Sequence, residues 1–161
     1  MPVVTLIVME PGSEWPGHVG NSEDVVAVGD DEEGLVERTR TELDSILRRG
    51  KRVRVAVLAC GQAADAVSVQ RRAAVADQLL TSVAAAGFGR LVLTAPDCAS
   101  VRQRCELLGL AGELSHRVRG ATAAVSVRFG RGDRRELGAA DGLGGETLKQ
   151  ALRYYASAQP G

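Results

Sequence analysis

The fold is decided by the run VRVAVLAC at residues 53–60, a helical pattern over about residues 65–86, and the run RLVLT at residues 90–94. Both short runs are rich in branched apolar residues and lack polar alternation, which is typical of strands buried on both faces. Between them, apolar residues follow the 3.6-residue repeat of a helix at Val69, Ala73, Ala76, Leu80 and Val83. The stretch therefore predicts two parallel strands joined by a right-handed helical crossover.

The same alternation of strands and helices extends on both sides of this unit. A buried strand is predicted over residues 3–9, a second strand over 24–29, and a helix from the acidic residues 30–33 to about Arg49. After the unit, Asp97 or Ser100 is positioned to cap a third helix that contains Gly109 and Gly112. Each interior glycine costs up to about 1 kcal/mol relative to alanine, so we expect either close packing there or a break between two helices.

The last predicted strand, residues 121–129, alternates apolar with small or polar residues, which is typical of an edge strand. Residues 1–129 are thus predicted to form a doubly wound, three-layer α/β/α domain with a mostly parallel five-stranded sheet. A polar, glycine-rich linker follows over residues 130–145. Residues 146–161 then predict an amphipathic helix with Leu148, Leu152 and Tyr155 on one face.

Composition excludes several classes of protein. Of the 161 residues, 45% are hydrophobic and 25% are charged, so the chain has enough apolar material for a core. Twenty basic residues balance twenty acidic ones, and we expect neither a nucleic-acid nor a membrane partner. The first residues lack the basic region of a secretory signal, which predicts a cytoplasmic protein. Lysine occurs only at Lys51 and Lys149, a usage that indicates a GC-rich bacterial genome.

The three cysteines form no CxxC pair, so we expect no zinc site and no disulfide framework. No other pattern indicates a metal or a cofactor.

The segments LLGLAGEL at residues 107–114 and AAVSV at residues 123–127 resemble the last helix and final strand of the universal stress protein family. With the order of the preceding elements, the resemblance covers about residues 24–129 and implies the same flavodoxin-like fold. Two features depart from the family. Residues 10–23 do not supply the family's first helix, and Thr94-Ala95-Pro96-Asp97 stands where ATP-binding members carry a glycine-rich loop.

Phosphate groups are bound by bare backbone N–H groups, and neither proline nor an aspartate serves that purpose. Leu110 also follows Gly109 where the family's ATP-binding members have a hydroxyl residue. The resemblance therefore implies a member of the kind that does not bind ATP.

In open α/β sheets, ligands bind beyond the carboxyl ends of the strands. The residues at these predicted ends are Glu10, Asp30, Cys60, Gly61, Gln62, Thr94, Asp97 and Cys98. Among them, Gln62, Thr94 and Asp97 are candidate contacts for a neutral or cationic small molecule. For Asp97, capping of the following helix is the alternative, because aspartate is strongly preferred at that position.

A thiol nucleophile needs a base within reach, and caspase-like hydrolases place histidine and cysteine after neighbouring strands. Here His18 and Cys60 follow the first and third predicted strands, so a cysteine hydrolase is one hypothesis. Its alternative is that Cys60 packs in the core as a small apolar residue.

The leading hypothesis is a non-catalytic regulatory or interaction module that forms a homodimer. The edge strand can pair with a second copy through Val125 and Val127, or the C-terminal helix can do so through Leu148, Leu152 and Tyr155.

Overall fold

The computed structural model describes residues 2–14, 16, 25–29, 34–63, 65–87, 89–96, 99–118 and 123–129. These residues form five strands and three helices. The strands are β1 (Val3–Met9), β2 (Val25–Val28), β3 (Arg52–Ala59), β4 (Gly89–Ala95) and β5 (Ala123–Phe129). The helices are α1 (Leu35–Arg48), α2 (Ala66–Ala85) and α3 (Val101–Arg117). His18, Asp97 and the predicted linker and C-terminal helix at residues 130–161 lie outside the described residues.

The five strands form one sheet in the order β2-β1-β3-β4-β5, and every neighbouring pair is parallel. This is the flavodoxin-like α/β architecture that the sequence predicts, and the prediction of the fold class is confirmed. β5 lies at one edge of the sheet, as its alternating pattern indicates. The strand order reverses between β1 and β3, which makes their carboxyl ends the switch point of the fold.

All three described helices pack on one face of the sheet. The main apolar core joins alternate strand residues, such as Leu6, Leu58 and Leu93, to residues of α1, α2 and α3. A β-bulge keeps this alternation in phase: Val4 pairs with Val53 but Thr5 pairs with Val55, which leaves one extra residue in β3. As a result, residues on both sides of the bulge contribute to the same core.

The opposite face of the sheet carries a second, smaller apolar cluster. It consists of Ile7, Val55, Val57 and Val92, with Met9 packed against it. We call this side the second face.

Side chains cap the N-termini of α2 and α3, whereas α1 has no side-chain cap. Asp65 caps α2 by accepting from the Ser68 N–H and hydroxyl, and this bonding lowers the pKa of Asp65. Ser100 caps α3 in a reciprocal capping box with Gln103. In contrast, α1 starts after Gly34, whose φ of 85° is left-handed and whose position has no side-chain cap. None of the helices in the described ranges is long and apolar enough to cross a bilayer.

α3 corrects the expectation about its interior glycines. The helix is unbroken from Val101 to Arg117, and a Cβ added at Gly109 would meet no atom within 4 Å. Neither a break nor close packing therefore explains Gly109, and its replacement by alanine is sterically free.

Candidate functional site

The candidate site begins at the end of β1, where Glu10 is only 2% exposed. The Glu10 N–H donates to the Ala59 carbonyl at 3.0 Å, which continues the pairing of β1 with β3 by one residue. The backbone of Glu10 is thus fixed by the sheet itself. A carboxylate that is almost fully buried requires strong partners, because burying an unpaired charge costs on the order of several kcal/mol.

Arg72, on α2, supplies the main partner and is itself 1% exposed. Its Nε–H donates to both Glu10 oxygens at 3.1 and 3.0 Å, and Nη2 donates to Glu10 Oε1 at 2.8 Å. Nη1 donates to Glu106 Oε1 on α3 at 2.6 Å, and Nη2 also donates to the Ala63 carbonyl at 2.9 Å. The planar guanidinium therefore joins β1, α2 and α3 in one buried network.

The loop after β3 completes this arrangement. The Gly61 N–H donates to Glu10 Oε1 at 3.0 Å, and Gln103 Nε2 donates to the Gly61 carbonyl at 3.1 Å. Gly61 also lies directly against the loop after β1, because a Cβ at this position would overlap the Pro11 carbonyl oxygen. We call Glu10, Gly61, Arg72, Gln103 and Glu106 the switch-point cluster.

The electrostatics of the cluster favour a charged arginine and a neutral thiol. Burial alone would lower the pKa of Arg72, but its hydrogen bonds with Glu10 and the nearby negative groups outweigh this and raise the pKa above its ordinary value. Burial, followed by the charge of Glu10, raises the pKa of the Cys60 thiol well above its ordinary value. The Cys60 S–H lies 3.6 Å from the Leu58 carbonyl, which it contacts as a weak donor.

Cys60 therefore has the properties of a core residue. It is 2% exposed and belongs to the main apolar core. A thiol that stays protonated at neutral pH is a poor nucleophile, which does not favour the hydrolase hypothesis. The proposed base, His18, lies outside the described residues, so the pair remains a hypothesis.

The structure brings only part of the predicted strand-end set together. Glu10, Cys60 and Gly61 lie side by side at the switch point. The Thr94 carbonyl accepts from the Cys60 N–H at 2.8 Å, while the Thr94 side chain belongs to the second face, in line with Met9 and Ala59. Gln62 is exposed, and Asp97 is not among the described residues. The three predicted ligand contacts thus do not form one described pocket.

Two of the predicted dimer contacts lie in the described part of the chain. Val125 and Val127 are both fully buried, on the face that α3 covers. Their side chains are core residues, so only the backbone edge of β5 is available for pairing. Leu148, Leu152 and Tyr155 lie outside the described residues.

Sequence reasoning missed Arg72, Gln103 and Glu106. Three residues of the predicted apolar stripe of α2 are buried as expected, namely Ala76, Leu80 and Val83. The stripe differs only near the start of the helix, where Val69 and Ala73 are half-buried and Ser68 and Arg72 are buried instead. The signal was present, because Arg72 stands four residues before Ala76 and seven before Leu79 in the buried stripe. An arginine in the buried stripe of a helix, together with a glutamate directly after a buried strand, indicates a buried ion pair between them.

A groove lies on the same side of the sheet but at the opposite end of the strands. It has a volume of about 360 Å³ and lies between α1 and α2, above the start of β3. Leu43, Leu47 and Val53 give it an apolar wall, and Leu47 is 55% exposed. Asp44 lines it with a carboxylate that makes no hydrogen bond or ion pair within the described part of the chain. We call this the α1–α2 groove.

No known protein family, curated protein or solved structure matches the chain. Within the described residues, no three His, Cys, Asp or Glu side chains are grouped closely enough to hold a metal ion. The class that the structure defines is a flavodoxin-like α/β protein with buried ion pairs at its switch point.

Proposed function

We propose that the chain is a non-catalytic interaction module with a universal-stress-protein-like fold, and that it acts as a homodimer without binding ATP. The observation that carries this proposal is the position of Glu10. Its carboxylate accepts from the Gly61 N–H and from Arg72, the two donors that a phosphate group would otherwise attract at the switch point. Both donors are engaged with Glu10, which supports a switch point that does not bind a nucleotide phosphate.

The dimer part of the proposal rests on β5. This strand lies at the edge of the sheet, and no described strand lies beyond it. Edge strands carry unpaired backbone donors and acceptors that a second copy can satisfy. Because Val125 and Val127 face the core, the proposed contact uses the β5 backbone and the half-buried side chains of the other face, such as Ala124.

The proposed partner class and compartment follow from charge and cysteine chemistry. A net charge of zero supplies no basic footprint for nucleic acid. Cys60 and Cys105 are free thiols, which agrees with a reducing compartment, so we place the module in the cytoplasm.

Two measurements on the purified chain test the proposal. Titration with Mg-ATP in a calorimeter is expected to give no binding heat, and a saturable heat would contradict it. Light scattering is expected to give twice the chain mass for the native protein and for Ala74→Lys, whose site on α2 is exposed. Ala124→Lys places like charges at the proposed edge and is expected to give a monomer. A native chain that stays monomeric at high concentration would remove the dimer.

A second candidate function is small-molecule binding, and the α1–α2 groove favours it. A volume of about 360 Å³ lies within the range of ligand sites, and an apolar wall beside the Asp44 carboxylate suits a small apolar amine. A thermal-shift panel of polyamines, nucleotides and common metabolites tests this. The expected result is a stabilising amine whose effect disappears in Asp44→Asn. No shift with any compound would argue against the candidate.

A further inference from the structure

Small side chains on α2 leave the α1–α2 groove open. Leu43 and Leu47 line its α1 side, and they share one side of that helix because they are four residues apart. Thr81, Ser82 and Ala85 line the α2 side. Side chains this short do not fill the space between two helices whose axes lie about 8–10 Å apart. An open volume of about 360 Å³ therefore remains.

The groove has a polar end and an apolar end. α1 and α2 both connect parallel strands and therefore run in the same direction. The groove residues that come first in the two helices are polar, namely Arg40, Asp44, Asp77 and Gln78. Those that come last are Leu47 and Ala85, beside Val53 at the start of β3. A ligand that lies along the groove thus meets charges at one end and apolar side chains at the other.

Two acceptor groups at the polar end are available to a ligand. The Asp44 carboxylate makes no hydrogen bond or ion pair within the described ranges. Gln78 Oε1 is buried and has no hydrogen-bond partner among the described residues. A buried acceptor without a partner is costly, and the terminal amide turns about a soft torsion that can direct its oxygen into the groove. Both groups suit a cationic donor such as an ammonium group.

Arg40 adds a positive charge one helical turn before Asp44. Its Nη1 donates to Glu37 Oε1 at 3.2 Å, and both of these side chains are exposed. An exposed ion pair contributes little, and a guanidinium has further N–H donors. A cation four residues before an anion is also the less favourable order for an ion pair within a helix, which agrees with the bonding of Arg40 to Glu37 instead of Asp44. Arg40 can therefore bind an anionic group beside a cation held by Asp44.

We propose that the groove binds a zwitterionic apolar α-amino acid, an inference that rests on the small-molecule function proposed above. Asp44 and Gln78 hold its ammonium group, and Arg40 holds its carboxylate. Its apolar side chain lies against Leu43 and Leu47. Opposite charges attached to one carbon atom match two oppositely charged side chains one helical turn apart. A simple amine lacks the carboxylate and is repelled by the charge of Arg40.

Volume and charge select this class of ligand. A volume of about 360 Å³ is near the lower end of the range of ligand sites, about 300–1,000 Å³, which suits a single amino acid better than a nucleotide or a peptide. The other two charged residues of the groove, Arg52 and Asp77, each have a partner already. The charges that remain for a ligand are therefore one of each sign, which a zwitterion complements.

Calorimetric titration of the full chain with three compounds that share one apolar body tests the proposal. L-phenylalanine carries both charged groups, 2-phenylethylamine carries only the ammonium group, and 3-phenylpropionate carries only the carboxylate. L-phenylalanine is expected to bind at least about tenfold more tightly than either of the others, because it alone makes both charged contacts.

Variants of the groove separate the two contacts. Arg40→Met is expected to weaken the binding of L-phenylalanine at least about fivefold without weakening that of 2-phenylethylamine, whereas Asp44→Asn is expected to weaken both. Arg48→Met is the matched control, because Arg48 is on the same helix but does not line the groove. These three side chains are exposed, so the core is retained. Gln78→Glu keeps an acceptor and is expected to retain binding of L-phenylalanine, and Gln78→Met is expected to weaken it.

The outcomes distinguish the proposal from the function on which it rests. Equal affinity for L-phenylalanine and 2-phenylethylamine, with no effect of Arg40→Met on either, would overturn the proposal and leave amine binding by the groove intact. Equal weakening by Arg40→Met and Arg48→Met would indicate a general effect of charge and would also overturn it. No saturable heat with any of the three compounds would exclude an amino-acid ligand, and the thermal-shift panel would then decide the small-molecule function by itself.

Discussion

The switch-point cluster and the α1–α2 groove both lie on the helix-covered side of the sheet, and they differ in what fills them. At the carboxyl end of β1 and β3, Glu10 and Arg72 are buried and hydrogen-bonded to each other. At the opposite end, the groove is open and one apolar wall residue, Leu47, is more than half exposed. The topology of a parallel sheet predicts where ligands usually bind, but the side chains at that position determine whether polar groups are available to a ligand.

The largest effect is expected from breaking the cluster. Arg72→Met leaves the Glu10 carboxylate buried without its cation, which costs about 3–5 kcal/mol of unfolding free energy. Arg117→Met is the matched control, because Arg117 pairs with Asp77 at the surface, where ion pairs contribute at most about 1 kcal/mol. Urea unfolding of both variants measures the difference. Equal losses of unfolding free energy in the two variants would show that the buried network stabilises the fold no more than a surface ion pair does.

A smaller loss is expected at the contact between the two loops. Gly61→Ala forces a methyl group into the Pro11 carbonyl and is expected to cost about 1–3 kcal/mol. Gly109→Ala is the control: its site is open, and alanine in a helix is expected to gain up to about 1 kcal/mol. Thermal unfolding compares the two. A neutral Gly61→Ala would mean that the loops are not in fixed contact.

These two glycines show how far sequence reasoning reaches. The parallel sheet, the order of elements and the edge position of β5 follow from apolar runs and helical periodicity, and the structure confirms them. The contact of Gly61 with Pro11 is not predictable in that way, since it joins two loops separated by about 50 residues in the chain. The pattern of apolar residues along the chain predicts helices and strands. The contact between these two loops forms only when β1 and β3 pair in the folded sheet.

The candidate site shows the same division. Glu10, Cys60 and Gly61 are predictable as strand ends, because every parallel strand ends at the same edge. Arg72 was missed because periodicity assigns charged residues to solvent, and its burial depends on a carboxylate from a distant strand. A buried ion pair of this kind is predicted only when the arginine on the helix and the glutamate after the strand are considered together.

A third prediction concerns Cys60 and pH. Its folded pKa is raised, so the unfolded chain ionises first as pH rises, and the native state binds more protons. Stability is therefore unaffected below about pH 8.5 and declines above it by up to about 1.4 kcal/mol per pH unit. Cys60→Ala is expected to lack this contribution to the decline. Urea unfolding at pH 7 and pH 10 measures it, and identical pH dependence in both proteins would contradict the burial of a neutral thiol.

The smallest effect is expected at the groove. Leu47→Ser removes an apolar side chain that is already 55% exposed, so the unfolding free energy is expected to change by no more than about 0.5 kcal/mol. Leu43→Ser, at a buried position of the same wall, is the matched comparison and is expected to cost several times more. A large loss at Leu47 would indicate that the groove is closed in solution.

A double-mutant cycle on Glu10→Gln and Arg72→Met tests the central claim most directly, because it isolates the interaction between the two side chains. If Glu10 and Arg72 close the switch point through their own pairing, the double variant loses at least about 1.5 kcal/mol less than the sum of the single losses. Losses that add to within about 0.5 kcal/mol would contradict the claim.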